Sequence, residues 1–103
     1  GPGTARTQAV GARATLASDG RAALVELKGG TTLGLLERHG RRWNAKRLEP
    51  GALRALNEDA GALQLHFSDF GWPASQVAIA DAAERARWMA RLRPLVDGGA
   101  DAR

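Results

Sequence analysis

The chain contains no cysteine, which excludes disulfide stapling and thiolate zinc sites and leaves the redox compartment open. Lysine is nearly absent too, with Lys28 and Lys46 the only two, so the basic charge is carried by arginine. That bias, together with abundant alanine, fits a GC-rich genome better than a function. Histidine is limited to His39 and His66. No apolar run reaches about 18 residues, so no segment reads as a membrane-spanning helix. No secretory leader is visible, and the expected compartment is the cytoplasm. What is present is ordinary for a globular domain: 103 residues, 44% hydrophobic and 25% charged. That length allows one core and not two. The net charge of +4 permits nucleic acid as a partner without demanding it. Gly1-Pro2-Gly3 reads as a tag remnant, which leaves 4–97 as a single domain and 98–103 as a disordered tail.

Glycine turns punctuate the first half. Thr4 to Val10 reads as a frayed arm or an edge strand. Ala12 to Ser18 and Arg21 to Lys28 are strands around Asp19-Gly20, a strong hairpin signal. Ala23, Val25 and Leu27 share one face of the second run and Leu24 takes the other, so that strand is covered in part on both sides. Thr31 to Arg38 and Arg41 to Leu48 follow, separated from their neighbours by Gly29-Gly30 and His39-Gly40. Within the last run Trp43 and Ala45 share a phase that reads as inward. After Glu49-Pro50-Gly51, Leu53 and Leu56 stand three apart, which predicts one or two helical turns over Ala52 to Asn57. Ala62 to Phe67 alternates cleanly as a strand. Ser68 to Ala74 is a loop carrying Phe70 and Trp72. Gln76 to Ala80 is a last strand that runs straight into a helix over Asp81 to Arg93. Asp81 and Glu84 form a capping-box pattern, Trp88, Met89 and Leu92 form one stripe, and Pro94 ends the helix.

A strand entering a capped helix that reads Asp81, Glu84, Arg85, Trp88, Met89, Leu92 resembles the end of a pleckstrin-homology (PH) domain. The resemblance covers about the last 20 residues of the fold. It implies seven strands in two antiparallel sheets, as a barrel or sandwich, capped by one C-terminal helix bearing a tryptophan. Two features depart from that family. The helical turns after Pro50 would have to lie between its fifth and sixth strands. Its phosphoinositide signature, a lysine followed by arginine-x-arginine across the first hairpin, has no counterpart at Asp19-Gly20, so lipid specificity is not implied.

Catalytic patterns are missing. His66 and Asp69 make a pair, not a metal site, and Asp69-Phe70-Gly71 lacks every other kinase element. No glycine loop opens a helix as a phosphate site requires. The reading is therefore no enzyme, no cofactor and no metal. Two binding signals remain. Phe70 and Trp72 lie in a stiff loop and are candidate anchors for a protein partner, which makes the first reading a non-catalytic interaction module in a larger bacterial assembly. Arg38, Arg41, Arg42, Lys46 and Arg47 concentrate charge around Trp43, and the alternative is an anion-binding module for nucleic acid or lipid headgroups. The solvated-hairpin reading, with Trp43 facing the core, competes with that alternative. The sequence sets no oligomeric state.

Overall fold

The computed structural model describes residues 13–27, 32–69 and 71–96. Seven strands pair into a four-stranded sheet, ordered β1-β2-β3-β4, and a three-stranded sheet, ordered β5-β6-β7. Both are antiparallel meanders. The fold class is mainly β with one C-terminal helix among the described residues. No ladder among them joins the two sheets, so the strands do not close into a barrel and the two-sheet alternative is the one observed. By their contacts, residues up to Leu48 form one compact unit and residues from Glu49 a second. Thr4–Val10, Gly29-Gly30, Phe70 and 98–103 lie outside the described residues.

In the first unit β1 is Arg13–Leu16, β2 Ala22–Leu27, β3 Thr32–His39 and β4 Arg42–Leu48. The β1–β2 connection is longer than a two-residue Asp-Gly turn. Ala17 N donates to Ala22 O and Gly20 N to Ala17 O, so Ser18 to Arg21 make the loop. The Asp19 carboxylate accepts from Arg21 N at 3.0 Å, an Asx turn that holds the bend. Register then fixes the faces, because residues directly opposite one another share one. Leu24 stands opposite Leu35, and Leu33 opposite Leu48. All four are buried, and burying each leucine contributes roughly 1.5–3 kcal/mol.

The second unit holds β5, Leu53–Asp59, β6, Ala62–Phe67, and β7, Ser75–Ala78. The expected helical turns over Ala52 to Asn57 are not there; that segment is β5. The ladder slips between Leu53 and Ala55, with Leu53 opposite Phe67 and Leu56 opposite Leu65. A bulge takes up one extra residue. Leu53 and Leu56 therefore reach the same face although they are three apart in sequence. One residue added to a period of two reproduces the spacing of three that a helical turn would give. The β5–β6 hairpin turns on Ala60 and Gly61, at φ 53° and 82°, the paired positive angles of a type I′ turn.

The helix α1 spans Ala82–Leu92. Asp81 is extended and its carboxylate accepts from Ala83 N at 3.0 Å, which satisfies one orphan amide of the first turn. A 3-10 turn over Arg93–Leu95, with Pro94 inside it, ends the helix. The helix packs on β6, and Trp88 and Leu92 are its fully buried side chains, as are Leu63, Leu65 and Val77 of the sheet. Two ties fix it at its ends. Arg85 meets Glu58 and donates to Ile79 O, while Gly51 N donates to Leu95 O. Among the described residues no helix is long and apolar enough to cross a membrane.

Candidate interaction surface

The two sheets differ in the face opposite their buried leucines. On the second sheet that face carries Asn57 opposite Gln64, Gln64 opposite Gln76, and Ala55 opposite His66. It is a polar surface of the ordinary kind. On the first sheet the ladder places Leu16, Ala23, Leu36 and Ala45 in one row, and Ala14, Val25, Gly34 and Arg47 in the next. Beyond the first row, Trp43 stands opposite Arg38, and Arg38 N donates to Arg21 O at 2.8 Å. The row Arg21, Arg38, Trp43 thus closes one end of an aliphatic field. Leu16 is 62% exposed, Leu27 41% and Trp43 45%.

Trp43 does not face the core, contrary to its phase with Ala45. Leu33 and Leu35 are the buried residues of β3, and their partners on β4 are Leu48 and Lys46. Trp43 and Ala45 are consequently forced to the other face. Only the Leu48 end of this edge strand is buried, so its own alternation carries no information about which side is in.

A cleft of about 310 Å³ opens in this face between Val25, Leu27, Thr32, Gly34, Leu36 and Ala45. Gly34 is its structural condition. A Cβ there would meet Val25 Cγ2 at 3.0 Å, so any larger residue pushes Val25 aside.

The five basic residues of the β3–β4 hairpin do not converge. Arg38 and Arg47 share the open face with Trp43, Arg42 and Lys46 take the opposite face, and Arg41 sits in the turn. They cannot all contact one anion. Trp72 is half-buried, with its ring edge-on to Phe67 at 6.2 Å and 76°. The Asp69 carboxylate accepts from Gly71 N, and Trp72 N donates to Asp69 O. The loop therefore folds back on its own sheet. His39 is exposed and His66 half-buried. No group of three or more metal-ligating side chains occurs among the described residues.

Leu16, Val25, Gly34 and Leu36 are the residues sequence reading passed over. Their signal was the apolar neighbours Leu24-Val25 and Leu35-Leu36, which place bulk on both faces of one strand. Comparison with protein families, with curated proteins and with solved structures finds no match to this chain.

Proposed function

We propose that this chain is a non-catalytic protein-interaction module of PH-like build, serving a larger bacterial assembly and docking its partner on the open face of the first sheet. The carrying observation is the contrast between the two outer faces: one chain gives its second sheet a polar face and its first an aliphatic one that includes an exposed tryptophan. A contiguous apolar patch rimmed by polar residues is the usual mark of an interaction site. Four strands, three strands and a capped helix bearing Trp88 support the PH-like part of the reading. Trp72 becomes the secondary candidate, since Phe67 already holds its ring.

The test compares wild type with Leu36→Asp, Trp43→Ala and Trp72→Ala for melting temperature and for capture from a lysate of the source organism. Leu36→Asp and Trp43→Ala should lose the captured protein with melting unchanged, and Trp72→Ala should lower melting with capture intact. Capture by Leu36→Asp equal to wild type would overturn the docking face. Arg21, Arg38 and Trp43 in one row also support the anion-binding alternative. That reading requires binding of nucleic acid or anionic vesicles that falls steeply with salt and survives Leu36→Asp.

A further inference from the structure

We infer that the occupant of this face is an acidic protein segment with an aliphatic anchor. The anchor seats in the cleft beside Gly34 and its carboxylates meet Arg38 and Arg21. The inference rests on the docking face just described and adds the chemistry of its partner. Three facts carry it. The open face bears Arg21, Arg38 and Arg47 and no acidic residue at any register position from Leu16 to Ala45. Its centre is aliphatic, built from Val25, Leu27, Leu36 and Ala45 around one cleft. It holds a single aromatic, Trp43, at the rim.

Each fact selects among occupants. A second copy of the chain would bring three more arginines to a face whose ladder positions carry no carboxylate to meet them, and like charges facing each other oppose association. Single-stranded nucleic acid stacks its bases on several aromatic platforms in succession, and this face offers one ring and an aliphatic floor. A peptide satisfies both parts, because an apolar side chain fills the cleft while flanking carboxylates pair with guanidinium groups in the geometry arginine favours. The cleft lies at the small end of the range of roughly 300–1,000 Å³ for ligand pockets. That size suits one or two side chains rather than a whole helix.

The experiment titrates three peptides into the full ¹⁵N-labelled chain. One alternates aspartate and glutamate with leucine; a second carries the corresponding amides in place of the carboxylates; a third has serine in place of leucine. The first should shift the backbone amides of Val25, Gly34, Leu36 and Ala45, and the other two should not at the same concentration. Because an exposed ion pair is worth a factor of about two to five, Arg21→Glu with Arg38→Glu should weaken the first peptide roughly tenfold. Leu36→Asp should abolish its binding. Equal binding of the amide peptide overturns the acidic class and leaves the docking face standing. Shifts confined to other surfaces, or no shifts at millimolar peptide, overturn the inference together with the face. Sedimentation that detects dimers dispersed by Leu36→Asp would assign the face to a second copy and overturn it as well.

Discussion

Replacing Trp88 with alanine tests how the terminal helix is held. The indole is fully buried. Its Nε1 donates to a Glu84 carboxylate oxygen at 3.2 Å, and the Arg87 guanidinium sits 5.0 Å from the ring centroid. A buried aromatic hides about 150–250 Å², which at about 25 cal/mol per Å² gives roughly 4–6 kcal/mol as an upper bound. Measured truncations of buried Phe and Trp cost about 3–5 kcal/mol. The lost hydrogen bond adds little, because Glu84 still accepts from Arg87 at 2.9 Å. A loss of about 3–5 kcal/mol removes much of a total of about 5–15. At about 4–8 °C per kcal/mol for a domain near this size, the melting temperature should fall by more than about 12 °C, or the cooperative transition should vanish. Circular dichroism on heating reads this directly, and Trp88→Phe, which keeps most of the buried area, should fall much less. A shift of only a degree or two for Trp88→Ala would mean that the helix is not anchored through this ring.

Deleting Arg54 should cost little, about 1 kcal/mol or less by urea titration, because the bulge already spends one residue there and its loss keeps Leu53 and Leu56 on one face. Leu53→Ala should cost about 2–5 kcal/mol, and a deletion as damaging as that substitution would contradict the bulge. Ala60→Gly should raise the urea midpoint, since alanine at positive φ is penalised by roughly 1–2 kcal/mol and the added flexibility of the unfolded chain returns about 0.4–1 of it; a lowered midpoint would exclude the type I′ turn. Iodide should quench the wild-type fluorescence mainly through exposed Trp43, so Trp43→Phe should remove most of the quenchable fraction.

Local signals carried the helix, its Asp81 cap and the strand Ala62–Phe67 from sequence to structure unchanged, because each is set by neighbours within one turn or one alternation. The failures are long-range. Leu53 and Leu56 matched a helical period because a bulge adds one residue to a two-residue period, and nothing in β5 itself reports the bulge. It follows from pairing with Phe67 and Leu65, two residues apart on the partner strand. In the Ser68–Ala74 loop the sequence placed two rings without deciding what they touch. Phe67, the residue that takes the edge of Trp72, belongs to the preceding strand and not to the loop.

The misreading of Trp43 and the candidate surface share one cause. An edge strand has one neighbour, so its inward phase is imposed by that neighbour and not chosen by its own composition. Here β3 buries Leu33 and Leu35, and their register with Leu48 and Lys46 turns Trp43 outward beside Arg38. If Trp43 and Ala45 had shared the face of Leu33 and Leu35, Asn44 and Lys46 would lie beside Leu36 and that row of the first sheet would be polar at its β4 end. Instead the largest side chain of β4 lies in water at the end of an aliphatic field. Leaving Trp43, Leu16 and Leu27 exposed forgoes up to about 1.5–3 kcal/mol of burial for each such side chain. Covering that face with a partner recovers part of this free energy. On the docking reading, the face should gain protection from hydrogen exchange at Val25, Leu36 and Ala45 when the acidic, leucine-bearing peptide is added. Protection that changes only around Trp72 would place the binding surface on the second unit.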